Sequence, residues 1–389
     1  MSTVARVAAA SPDAGRPTAR RGWRSFLGPW VAAGLIAGIW LTAVFRQAVL
    51  HGRPGDFSSF YCGGEILRTR GPAALYDYQA LQQCHARHFS EQDAVLPFIR
   101  PPFYALALAP LSLLPPHPAL LAWLAINLVA LAGAIYFTAR ATGVGLPEAA
   151  WHAAIFFPAV ATFLNRQDLP IILFWAAAGY WLTARGRYFA AGSILALCAM
   201  KFHLVLLLSL AFLAKKNWKA LRGLLTGVGI LAAVSLWMLG PAGLTRYVQV
   251  LLYRSLPNIE NYPVRQTNLF NLAGGAWLSI PLVLLTVAAV VTAGRRLSQT
   301  QALAAAWLGS LLVAPHVVIS DYLLALPACL SLAPLSRYCF LASLLLLFPV
   351  VPVLLAYDER LVLAAPFLAL ACLIGAAVAS VRTPLLRHD

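Results

Sequence analysis

Apolar runs of roughly 18 residues or more recur from Trp30 to Val381, and that length is what a helix needs to cross a hydrocarbon core ~30 Å thick. The runs are continuous rather than alternating, which argues against the strands of a membrane barrel. In hydrocarbon, every backbone N–H and C=O must be satisfied within its own segment. The fold expected is therefore all-α: a polytopic integral membrane protein of about 11–13 transmembrane helices. Composition agrees, since 61% of the residues are hydrophobic and 11% charged, against about 25% charged in a soluble domain. A soluble enzyme is excluded. The net charge of +16 collects at the ends of the apolar runs, where it meets membrane lipids. No single basic face forms, so nucleic acid is not an expected partner.

Charge also orders the chain. Residues 1–24 are rich in Ala, Pro and Arg, with Arg6, Arg16, Arg20, Arg21 and Arg24, and read as a disordered cytoplasmic tail before a first span at residues 30–50. Residues 25–389 read as one transmembrane domain. The positive-inside rule places the N-terminus in the cytoplasm and residues 51–102 outside, as a large first extracytoplasmic loop. Lys215, Lys216, Lys219 and Arg222 mark another cytoplasmic edge, as do Arg295, Arg296, Arg337 and Arg382. A second polar stretch, residues 240–271, falls outside. Around Lys201 two readings stand. Residues 188–213 either cross once, stranding Lys201 in mid-membrane at a cost of at least ~2.5 kcal/mol, or form a short-armed hairpin with Lys201 near the outer face.

The first loop is the longest polar interruption and holds five of the chain's 13 acidic residues: Asp56, Glu65, Asp77, Glu91 and Asp93. Phe57, Phe60, Tyr61, Gly64 and Leu67 fall at helical spacing, and Tyr78, Leu81, Cys84, His85 and His88 repeat the pattern. Both segments read as amphipathic helices lying in the membrane interface. Of six cysteines, Cys62 and Cys84 lie in this loop. They either pair as a disulfide, which an oxidising compartment favours, or stay as two thiols. No Cys-x-x-Cys pattern occurs, so neither a metal site nor a cofactor is expected. On the hairpin topology four polar features share the outer face: the first loop, residues 240–271, Pro315-His316 and Lys201. Carboxylates, cations and aromatics gathered there suit an anionic, lipid-linked substrate.

Several stretches resemble glycosyltransferase family 87, of the membrane GT-C superfamily. They are GDFSSFYCGGEIL (residues 55–67), GPAALYD (71–77) and RPPFYALALAPLSLLP (100–115). Further on come RQDLPIILFW (166–175), AAGSILALCAMKFH (190–203), RQTNLFNL (265–272) and PHVVISDYLLALP (315–327). Arg100, Arg166 and Phe202 stand where that family has Tyr, Gly and Pro. The resemblance implies a hexosyltransferase carrying sugar, mannose foremost, from a polyprenyl-phosphate donor to an extracytoplasmic lipid-linked or glycan acceptor. It places the protein in the cell membrane with its active site on the extracytoplasmic face.

A phosphate leaving group is already a stable anion and needs no general acid, so one base and a set of cations suffice. Asp56 stands alone, without an Asp-x-Asp pair, which suggests an inverting, metal-independent transfer with Asp56 as the base. Lys201, Arg265 and His316 are the candidates for the donor phosphate; Tyr61, Glu65, Arg100, Gln167 and Gln266 are those for the rest of the substrate. Plainer roles compete. Asp56 can cap the helix that follows it, Lys201 can snorkel or pair structurally, and His316 can be a turn residue. Arg265 can touch lipid headgroups, and Glu65 can be a salt-bridged position of the loop. A transporter or lipid or oligosaccharide flippase is the alternative class; it would carry paired inverted halves, and none is visible.

Overall fold

The computed structural model describes residues 54–90, 95–252, 267–270, 276–347 and 363–382, with scattered positions in 31–46. Among these the regular structure is all helical, with no strand. Five helices are long and apolar enough to cross a membrane: Pro116–Thr142, Tyr188–Val205, Trp218–Leu251, Trp277–Arg296 and Ala364–Arg382. Shorter apolar helices fill the space between them. The protein is an all-α polytopic membrane protein.

The first loop contains α1 (Phe57–Arg70) and α2 (Tyr78–His88), and α3 (Pro102–Leu108) follows it. A disulfide between Cys62 and Cys84 joins α1 to α2. Only α2 is amphipathic as expected, burying Ala80, Leu81, Cys84 and His85. Helix α1 departs from the expectation: its first ten residues, Phe57 to Ile66, are buried on every side. Its two glycines explain how. A Cβ on Gly64 would lie 2.7 Å from the Leu108 carbonyl oxygen, and one on Gly63 would lie 2.5 Å from the Phe98 ring. With neighbours that close, α1 is a core element under the loop rather than a helix resting on lipid.

Helices α4 (Pro116–Thr142), α5 (Leu146–Ile155), α6 (Phe157–Leu164) and α7 (Leu169–Ala184) come next. Pro at the first turn starts α4, and Gly143 in the left-handed region ends it, its N–H bonding Ala139 O. The largely apolar residues 149–164 form two helices rather than one, broken at the extended Phe156 before Pro158. Helix α7 packs along α4 in parallel: Trp123 meets Arg166, Gly133 admits the Phe174 ring, and Phe137 lies against Trp181.

Helix α8 (Tyr188–Leu195) continues into a 3-10 stretch, Ala196–Val205, and then α9 (Leu208–Ala214) and α10 (Trp218–Leu251). A Cβ on Gly192 would lie 2.0 Å from Ala220 O, one on Gly223 2.1 Å from Phe189 O, and one on Gly227 2.5 Å from the Ala196 Cβ. This is the close approach that small-xxx-small spacing permits in membranes. Contacts advance together along both chains, so α8 and α10 are parallel and start at the same end. The segment between them therefore goes out and returns, with its turn at Lys201, whose backbone leaves the helical region (φ −129°, ψ 63°). The chain doubles back at Lys201 rather than crossing once. The outgoing arm reaches roughly 22 Å, counting α-helical and longer 3-10 rises, so the turn stops short of a ~30 Å slab.

Helix α10 continues into the polar stretch that begins at residue 240. It breaks at Gly240 (φ 59°) before Pro241 and runs on to Leu251. The second arm docks under the first loop, with Arg246 donating to Ala73 O and Tyr247 stacked on Tyr76. Helix α11 (Ala276–Arg296) returns to set Gly294 against Ala214, and α12 (Gln299–Val313) is buried all round from Ala302 to Leu312. A 3-10 turn, Ile319–Leu324, leads into α13 (Ala325–Leu332), α14 (Arg337–Leu347) and α15 (Ala364–Arg382). Two ends result. Arg185, Arg187, Lys215, Lys216, Arg295, Arg296, Arg337 and Arg382 gather at one, while the first loop, Lys201 and Pro315-His316 occupy the other.

Candidate active site

Five pieces of chain meet at the loop end. Gly55, at φ +52°, turns the chain so that Asp56 N–H bonds Asn165 O at 3.0 Å. A Cβ on Gly55 would meet that same carbonyl at 2.7 Å, so both the turn and the contact need glycine. Asn165 belongs to the α6–α7 connection. There Arg166 also adopts a positive φ of 55°, and its carbonyl is fixed by Trp123 Nε1 at 2.9 Å. This connection presents Gln167 and Asp168. The other pieces are the approach to α3 carrying Arg100, the Lys201 turn, and the stretch from Pro315 to Asp321.

Charge in this cluster is almost balanced. Arg100 makes two hydrogen bonds to Asp168, Nε to Oδ2 at 2.9 Å and Nη2 to Oδ1 at 2.6 Å, and both residues are buried. Its guanidinium lies 5.5 Å from the Phe60 ring centroid, and its carbonyl accepts from the Tyr76 hydroxyl at 2.7 Å. Lys201 donates to Asp321, again with both buried, and Asp321 also accepts the Val318 N–H at 3.0 Å. A buried charge is tolerated when paired in this way. Asp56 is the odd one. Among the described residues no ion pair is dedicated to it, although Lys201 and Arg100 are close enough to act on it.

Burial therefore raises the Asp56 pKa, while Lys201, Arg100 and a hydrogen bond from Gln167 pull it down and Asp168 adds to the rise. The net direction is up. Asp56 is densely surrounded yet partly accessible. It occupies the N-cap position of α1 but makes no side-chain capping bond. The capping role is absent, and the side-chain hydrogen bond Asp56 accepts comes from Gln167 instead.

His316 lies 6.3 Å, ring to ring, from His203. Burial lowers the His316 pKa, Asp321 opposes this, and Lys201 and Arg100 lower it further. The imidazole is thus neutral near pH 7, able to donate one N–H but not to act as a cation. Thr267 and Asn268 brace this loop: Thr267 N–H bonds Val317 O at 2.7 Å, and Asn268 Nδ2 bonds Pro315 O at 2.9 Å.

The structure thus brings together Asp56, Arg100, Gln167, Lys201 and His316. It does not bring Tyr61 or Glu65 there. The Tyr61 hydroxyl donates to Leu114 O at 3.0 Å, and its ring packs on His88 and Phe89. Glu65 accepts from Arg87 at 2.5 Å and pairs with His88 at 2.6 Å, holding α1 to α2. Glu65, Cys84 and His88 are close enough to surround an ion. The Cys84 sulfur, however, is committed to the disulfide, and Arg87 and His88 occupy both Glu65 oxygens, so this donor set does not suit a metal. Arg265 and Gln266 lie outside the described residues. Asp168, Asp321 and His203 are members of the cluster that sequence reasoning did not single out. A carboxylate opening an apolar run was the available signal.

The family model for glycosyltransferase family 87 matches residues 98–320, more than half of the 389-residue chain. The chain belongs to glycosyltransferase family 87. That makes it a membrane glycosyltransferase. The match spans Arg100, Gln167, Lys201, His316 and the edge of the Asp321 turn, so much of the cluster lies within the family's shared region. No curated protein and no solved structure matches the chain.

Proposed function

We propose that this glycosyltransferase moves a hexosyl residue, mannose foremost, from a polyprenyl-phosphate donor to a lipid-linked or glycan acceptor outside the cytoplasm. The observation that carries the proposal is the pairing pattern: two carboxylates have their own cations, and among the described residues Asp56 does not. In the proposed step Asp56 takes the proton of the acceptor hydroxyl. The oxygen attacks the anomeric carbon, the bond to the phosphate oxygen breaks, and the configuration inverts. The lipid phosphate departs with the electron pair as a stable anion, so no acid is needed.

Lys201 is proposed to hold that phosphate. An ammonium has three N–H donors, and Asp321 takes one, which aims the group without exhausting it. His316 offers a neutral donor, and Arg265 completes the proposed set. Arg100, held flat by Asp168, and Gln167 are proposed to line the sugar side, with Gln266. Tyr61 and Glu65 act through the loop that carries them. Gathering of the basic residues at the far end supports a cytoplasmic placement for that end and an extracytoplasmic one for the site. A disulfide in the loop at the site end agrees with an oxidising compartment.

The test is direct. Membranes containing the protein, supplied with a polyprenyl phosphate bearing radiolabelled mannose, should transfer label to an endogenous lipid or glycan, and those with Asp56→Asn should not. Equal transfer by both, or transfer from a nucleotide sugar alone, would overturn the assignment.

A further inference from the structure

A cavity of about 890 Å³ opens between α14 and α15, at the basic end and away from the site described above. One wall is apolar, formed by Phe367, Leu370, Ile374 and Val378 of α15. The mouth is not: Arg337 and Arg382 both line it. No carboxylate lines this cavity, and among the described residues neither arginine has a salt bridge. Arg337 donates to the Tyr338 hydroxyl at 2.9 Å and lies 4.9 Å over its ring, leaving most of its N–H groups uncommitted.

We infer that this cavity binds one anionic phospholipid from the surrounding bilayer, its phosphate between Arg337 and Arg382 and an acyl chain along α15. The charge pattern selects the occupant. Two guanidiniums at one end with no salt bridge among the described residues call for an anion, and they suit phosphate oxygens in pairs. An apolar wall of about 22 Å from Phe367 to Arg382, at 1.5 Å per residue, demands a long hydrocarbon tail. A soluble phosphate would leave that wall wet, and a zwitterionic lipid would set its ammonium against the arginines. Helix α15 is itself a candidate membrane span with basic Arg382 in its last turn, so the mouth lies where headgroups are.

The experiment exposes purified protein to equal amounts of phosphatidylglycerol and phosphatidylcholine and counts bound lipid by native mass spectrometry. The wild type should retain phosphatidylglycerol selectively. Arg337→Gln with Arg382→Gln should reduce that retention about tenfold. Ala371→Trp, at an exposed position lining the cavity, keeps both arginines but fills the volume and should also release the lipid. This second variant decides the matter if the double variant does not fold. Equal retention of the two lipids, unchanged retention in the folded variants, or displacement of phosphatidylglycerol by an added polyprenyl phosphate would each overturn the inference. The readout does not depend on sugar transfer.

Discussion

Because burial raises the Asp56 pKa, the folded chain binds more protons than the unfolded one between the two pKa values. Stability then falls as pH rises through that window, and at neutral pH the ionised group is a burden on the fold. Asp56→Asn should therefore leave the melting temperature unchanged or higher, while transfer falls by ~10²–10⁴ as for loss of a general base. A simple cap would behave oppositely: Asn caps about as well as Asp, so Asp56→Asn would change little, while Asp56→Ala would lose ~1 kcal/mol of stability and little activity. Transfer by the wild type should lose rate as pH falls, with an acid limb above the ordinary Asp value of 3.8; a pH profile of kcat/KM checks this. Lys201 separates into two roles by a similar argument. Lys201→Met strands Asp321 buried and unpaired, which should cost about 3–5 kcal/mol. Adding Asp321→Leu should recover most of that stability in thermal melts, yet transfer should stay low because the phosphate has lost its ammonium. If transfer returned with stability, Lys201 would be purely structural.

At the scale of elements, α1 and α10 show where local pattern runs out. The apolar spacing of Phe57, Phe60, Tyr61 and Gly64 revealed a helix but not its surroundings, because Gly63 admits the Phe98 ring off that line while Gly64 lets the Leu108 backbone close onto it. Gly240-Pro241 read as the end of a span. The helix resumes because Pro is tolerated in the first turn of a new helix, and Gly supplies the positive φ between the two arms. The Cys62–Cys84 bridge closes a loop of 22 residues between elements that also share the Glu65 ion pairs. For a loop near that length the bridge should contribute about 3 kcal/mol. The Cys62→Ser, Cys84→Ser protein should melt lower than the unreduced wild type, and dithiothreitol should bring the wild type down to match it.

For the whole molecule, the parallel packing of α8 on α10 is what assigns the ends. It places Arg187 and Lys215 together and Lys201 opposite, and the first loop joins Lys201 through Arg246 and Tyr247 of the far arm of α10. Reporter fusions at Gln79 and Asn217 should accordingly report opposite sides of the membrane, Gln79 outside and Asn217 inside. Finding both on one side would dismantle the topology and the proposed access of a lipid-borne donor to Asp56.

The helical membrane fold follows from the sequence alone, as do the expectation of alternating basic edges and that of Asp56 near a span boundary. They rest on hydropathy and charge within a single segment, and the bilayer acts on each segment separately. Which carboxylate stays unpaired does not follow from it. Asp168 finds Arg100 across 68 residues, and Asp321 finds Lys201 across 120. In a poorly solvated interior a charge is stabilised by whatever approaches it, and that is decided by helix packing. The close contacts at Gly192, Gly223 and Gly227 fold the Lys201 hairpin back on itself, and so Asp321 rather than Asp56 receives the ammonium.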